Sequence, residues 1–180
     1  MHKDIAIVGM AAKLPDADNL DEFLENLKQG KDSIREISPD RVKNTALDPG
    51  SEYRKGGYLE NIDKFDYDFF AISPGEAIEM SPDQRILLEV VHEAFEDAGY
   101  TADDISGSNT AVFAVDTIPA YHEHAEDISA TLITGNSPSY LAARVCREFN
   151  LEGSPVVVDG ACASSMLAVQ GACNELSLGN

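Results

Sequence analysis

The stretch "SPVVVDGACASSMLAVQGACNELSLGN" at residues 154–180 narrows the choice of fold more than any other. Val156 to Val158 make a continuous apolar run, which reads as a buried strand. Gly160 permits a tight turn at its end. From Cys162 onward, Met166, Val169, Cys173 and Leu176 follow at spacings of four, three, four and three, the period of a core-facing helical stripe. A buried strand turning directly into a helix is a unit of α/β architecture.

The rest of the chain continues that alternation. "DIAIVGM", residues 4–10, reads as another buried strand ending in a glycine turn. "DADNLDEFLENLKQGKD" is a helix with Leu20, Phe23, Leu24 and Leu27 on one face and Gly30 near its end. Residues 38–57 read as loop, with Pro39, Pro49, Gly50 and Gly56-Gly57. Ser73-Pro74 opens a short helix with Glu76 in its first turn. "SPDQRILLEVVHEAFEDAG" is a long helix, Ser81 suiting the N-cap, Pro82 the first position and Gly99 the stop. Its apolar stripe runs through Leu87, Val90, Val91, Ala94 and Ala98. "NTAVFAV" is a strand, "HEHAED" a polar loop, and "SYLAARVCREF" a helix closed by Asn150. No internal repeat or linker interrupts the chain, so the sequence predicts one domain over residues 1–180.

Charge then excludes whole classes of partner. A net charge of −19 argues against nucleic acid, whose phosphates need a basic surface, and against an anionic membrane. The apolar run in "MHKDIAIVGM" is too short for a signal core or a bilayer span. Cys146, Cys162 and Cys173 lack the close spacing of a zinc site or redox dithiol, which favours free thiols in a reducing, cytoplasmic setting.

The helical spacing puts Cys162 in the first turn of the last helix. A thiol there faces unpaired backbone N–H groups and the positive end of the helix dipole, and both favour the nucleophilic thiolate. A helix-end effect of roughly 1 kcal/mol suffices for attack but does not make a complete enzyme. The outline is that of a nucleophile elbow, although the hydrolase pattern G-x-S-x-G is absent. On local geometry alone a cysteine at a helix start is more often structural than catalytic, and both readings stand at this point. Cys173, on the stripe, and Cys146, in an arginine-flanked helix, read as structural.

Six segments in order, "IAIVGMAAKLPDADNLDEFLENLKQGKDSI", "GGYLENIDKFDYDFFAISPGEA", "MSPDQRILLEVVHEAFEDAGY", "GSNTAVFAV", "TGNSPSYLAARV" and "LEGSPVVVDGACASSMLAVQGAC", resemble the N-terminal half of a β-ketoacyl synthase. This is the condensing domain of polyketide and fatty-acid synthases. The resemblance implies half of a thiolase-like fold, a mixed sheet with flanking helices. It maps Cys162 of "DGACASSM" onto the acyl-accepting nucleophile, with the Cys162 N–H as one of two oxyanion donors. It further implies an acyl carrier protein delivering the acyl chain on phosphopantetheine, a malonyl-type extender that decarboxylates and attacks, no cofactor held by this chain, and a homodimer. Gly160 and Ala163 stand where many members carry threonine and serine, and "GACASS" is closer to the iterative enediyne and polyunsaturated-fatty-acid type. Gly75 and Ser81 replace a frequent arginine and aspartate, away from the proposed chemistry.

The family's two downstream histidines have no counterpart, since only 18 residues follow Cys162 and none is histidine. His2, His92, His122 and His124 all lie upstream. His92 reads as a packing or surface residue. His122 and His124 straddle Glu123 without an evident third metal ligand. The resemblance therefore implies an enzyme part, inactive alone in condensation and complete only with a C-terminal half in cis or in trans. That half would supply the histidines and the second oxyanion donor, and without it apolar surface should be exposed. Two alternatives remain: a non-catalytic scaffold or dimerisation element derived from the fold, and a stand-alone cysteine acyl-transferring or hydrolysing enzyme.

Overall fold

The computed structural model describes residues 4–43, 55–116, 121 and 128–179. The chain forms two compact units, one of residues 11–62 and one of residues 1–10 with 63–180.

In the smaller unit, α1 (Leu20–Gln29) forms where its caps are written: the Asn19 side chain accepts from the Glu22 N–H, and left-handed Gly30 ends the helix. The region expected as loop holds more order. β1 (Ile34–Glu36) is followed by α2 (Pro39–Lys43), and β2 (Lys55–Gly57) pairs antiparallel with β1, Ile34 opposite Gly57. A three-residue strand ending in Gly-Gly carries no alternation of apolar and polar residues, so the pattern could not announce it. The pairing is braced by Arg35, which donates to Asp16 Oδ1 at 2.6 Å, to the Tyr58 carbonyl at 2.8 Å and to Glu60. Residues 44–54 of that expected loop lie outside the described residues.

The larger unit contains α3 (Pro74–Glu79), α4 (Pro82–Asp97), α5 (Ala102–Ile105), β3 (Val112–Ala114), α6 (Ala130–Asn136), α7 (Leu141–Glu148), β4 (Pro155–Val157) and α8 (Ser164–Leu178). β3 and β4 run parallel, with Phe113 opposite Val156, as an α/β fold requires. α7 packs against both strands and α8 against β3. Ile72, Met80, Leu88, Ile105, Val145 and Leu151 centre the core, joined by Phe70, Phe95 and Phe149 through edge-on ring contacts. Ser73 caps α3 as its sequence suggests.

Three expectations are corrected. Residues 4–10 pair in no ladder among the described residues, and Ile7 is 80% exposed. An apolar segment becomes a buried strand only when neighbouring strands exist to accept its hydrogen bonds, and here it is tied by the Met10 N–H to Asp97 Oδ2 at 2.8 Å. On α4 the buried face is Ser81, Gln84, Arg85 and Leu88, while Leu87, Val90, Val91, Ala94 and Ala98 are half-buried. The helix turns polar Gln84 inward because its amide donates to the Thr134 carbonyl at 3.0 Å and accepts from buried Arg144 at 2.7 Å. Ser81 occupies the N-cap without a side-chain cap bond. On α8 the expected core stripe faces outward: Met166 is 72% exposed, Val169 and Leu176 are exposed, and Cys173 is half-buried. Its buried residues are instead Ser164 and Ala168. Among the described residues, no helix is long and apolar enough to cross a membrane.

Candidate active site

β4 is half-buried rather than sealed, and it leads through Val158 and Asp159 to a turn at Gly160–Ala161. A single 3₁₀ turn, Ala161–Ala163, then feeds α8. Ala161 adopts φ +51°, the left-handed region, which costs an alanine about 1–2 kcal/mol. Non-glycine residues held there are supported by their surroundings and cluster at functional turns. The support is visible. The Ala161 N–H donates to Asp159 Oδ1 at 3.1 Å, and the Gly160 N–H donates to Ser164 Oγ at 2.7 Å. The Ser164 hydroxyl in turn donates to the Ala161 carbonyl at 2.8 Å, and the Ala163 N–H to the Gly160 carbonyl at 3.1 Å.

These bonds use the N–H groups of Gly160, Ala161 and Ala163, and none uses that of Cys162. The Cys162 side chain is exposed in this chain, and its sulfur sits in the 3₁₀ turn that leads into α8. A thiol and an N–H that the turn's own bonds leave unused, at one residue, are the two groups needed to attack a carbonyl and to steady the oxygen that becomes negative. Cys146 is buried, and burial pushes its thiol up, away from the reactive thiolate. Asp159 and Ser164 lie within the "DGACASSM" motif, but the sequence reading gave neither a role. The signal that could have found them is a short polar side chain on each side of a strand–helix turn.

The structure brings no histidine described here to Cys162. His92 is a packing residue, its ring edge-on to Phe69 at 4.8 Å and its Nε2 3.5 Å from Glu96. His2, His122 and His124 lie outside the described residues, and no cluster of three metal-ligating side chains occurs among those described.

This arrangement of parallel strands and flanking helices superposes on solved ketosynthases. The ketosynthase from module 6 of the bacillaene synthase of Bacillus subtilis 168 superposes with a TM-score of 0.76 and 32% identity, over 93% of this chain and 27% of that one. The oxazolomycin ketosynthase domain OzmH KS7 of Streptomyces albus JA3453 gives 0.77 and 29%, over 96% and 32%. The fold is thus the thiolase-like fold of ketosynthases. The model of the family described as "Beta-ketoacyl synthase, N-terminal domain" matches residues 2–180, and the chain belongs to that family. Among its relatives, polyketide synthase PksL of Bacillus subtilis (strain 168) is 36% identical over 98% of this chain. Erythronolide synthase EryA3 of Saccharopolyspora erythraea is 39% identical over 98% of it. The chain spans 4% and 6% of those two synthases.

Proposed function

We propose that the chain is the nucleophile-bearing part of a polyketide-type ketosynthase, with Cys162 as the acyl acceptor. In the acylation step the Cys162 sulfur attacks the thioester carbonyl of an acyl chain carried on phosphopantetheine. A carbon–sulfur bond forms to Cys162, the bond to the carrier sulfur breaks, and the carrier leaves as its thiol with the proton Cys162 gave up. A malonyl-type extender then loses carbon dioxide, and its carbanion attacks the Cys162 thioester. The new carbon–carbon bond releases Cys162, which regains a proton. The Cys162 N–H steadies the carbonyl oxygen in both attacks. On this reading the groups that assist the decarboxylation come from a remaining ketosynthase portion, in cis or in trans, and this chain alone does not condense. An acyl carrier protein, a homodimeric assembly and a cytoplasmic setting belong to this reading.

The observation that carries it is the exposed Cys162, presented by a left-handed alanine with its own N–H left out of the turn's bonding. Incubation with an acyl thioester and intact-mass measurement tests it. One acyl addition mapped to Cys162, absent in Cys162→Ala, is expected. Condensed product should follow only when the remaining portion and malonyl carrier are added. A folded, complete assembly that never acylates Cys162 would overturn the reading. Unchanged biological function in Cys162→Ala would favour a non-catalytic scaffold.

A further inference from the structure

We propose that Ser164 and Asp159 are positioning residues that clamp the turn and thereby aim both the Cys162 sulfur and the Cys162 N–H. The proposal rests on the ketosynthase reading above and adds to it two side chains that act through the backbone of the turn. Ser164 is 4% exposed, whereas the adjacent Ser165 is exposed. The Ser164 hydroxyl is fully used, accepting from the Gly160 N–H and donating to the Ala161 carbonyl. Ser164 is the first residue of α8, so its bonds weld the turn to the helix itself.

Asp159 closes the opposite side by accepting the Ala161 N–H. The two side chains bracket Ala161, whose φ of +51° an alanine abandons when unsupported. The peptide plane joining Ala161 to Cys162 carries the Cys162 N–H, and its orientation follows directly from the dihedrals of Ala161. Relaxing Ala161 to negative φ would rotate that N–H and swing the sulfur away from the geometry needed for attack. Misplacement of this size costs rate and leaves binding nearly intact, because the acyl chain and carrier are held elsewhere.

The test uses the complete ketosynthase with an N-acetylcysteamine acyl thioester as donor and the variants Ser164→Ala, Asp159→Ala and Asp159→Asn. Ser164→Ala and Asp159→Ala should each lower kcat for acylation about tenfold with KM within about twofold. Asp159→Asn keeps an acceptor oxygen and should restore most of the rate. Iodoacetamide should alkylate Cys162 more slowly in the two alanine variants than in the wild type, with the adduct mapped to Cys162 by peptide mass and absent in Cys162→Ala. Wild-type kcat in folded alanine variants would overturn the clamp, as would Asp159→Asn no better than Asp159→Ala. If Ser164→Ala does not fold, the Asp159 pair decides. If the wild-type protein is not acylated at all, the ketosynthase reading fails and Cys162 alkylation alone judges the clamp: slower reaction in both alanine variants supports it, equal rates overturn it.

Discussion

Ala161 holds a backbone conformation that its own side chain opposes, and glycine would hold it without that cost. The left-handed penalty of an alanine, about 1–2 kcal/mol, exceeds the extra chain entropy that a glycine gives the unfolded state, about 0.4–1 kcal/mol. Ala161→Gly should therefore raise stability by roughly 0.5–1 kcal/mol, and Ala161→Val should lower it, both read from urea unfolding midpoints. A loss of stability in Ala161→Gly would show that the methyl group makes a packing contribution larger than its strain. Strand, glycine and helix period place Cys162 at the strand–helix turn, but only the resemblance of "DGACASSM" to the family motif singles it out as a nucleophile. Ser164 could not be picked out, since a serine following a cysteine has the same letter whether its hydroxyl is buried in a clamp or, like Ser165, lies exposed.

Between elements, the tie that orders α3, α4 and α7 is ionic and almost dry. Arg144, its side chain 4% exposed, donates to Glu76 Oε1 at 2.7 Å and to Gln84 Oε1 at 2.7 Å. Burial alone would disfavour the Glu76 carboxylate, but the hydrogen bond and charge of Arg144, with help from Arg147, outweigh it and hold the carboxyl below its usual 4.5. A carboxyl depressed in the folded state adds stability above its unfolded value and loses it as pH falls through the folded one. The Glu76 contribution is thus complete above about pH 5 and fades below it. Glu76→Gln should cost roughly 2–3 kcal/mol at neutral pH, because it leaves Arg144 buried with less compensation. It should also flatten the acid limb of a stability–pH curve. A limb as steep as wild type would remove Glu76 from the balance. The helices that meet here were readable from caps and period, but the inward turn of Gln84 was not: a polar residue is drawn inside by partners distant in sequence, which no local pattern encodes. The same holds at Gly153, where an added Cβ would lie 2.5 Å from the Ala111 nitrogen, hard against rigid backbone. Gly153→Ala should destabilise by about 1–3 kcal/mol in thermal unfolding, the cost of overpacking.

Taken as a whole, the chain has apolar surface that its own residues do not cover. Met166 and Leu178 of α8 are 72% and 75% exposed, and Ile7 and Val8 of the N-terminal segment are also exposed. Both segments read from sequence as core, α8 from its helical spacing and residues 4–10 from their apolar run. What the local pattern does not carry is which polypeptide covers the face. The chain covers only 27% and 32% of the solved ketosynthases to which it is similar. On the reading proposed here the outward stripe of α8 is a core stripe whose second wall is the remaining ketosynthase portion. Met166→Lys separates that reading from an ordinary solvent-facing helix. In the 180-residue chain alone the substitution should change stability by no more than about 0.5 kcal/mol and should reduce binding of a hydrophobic dye, because the site is already wet. In the complete ketosynthase the same lysine would be buried without a partner, and assembly or folding should fail by several kcal/mol. Equal tolerance in both settings would mean that nothing packs on α8 at Met166, and the outward stripe would then be surface in the complete protein as well.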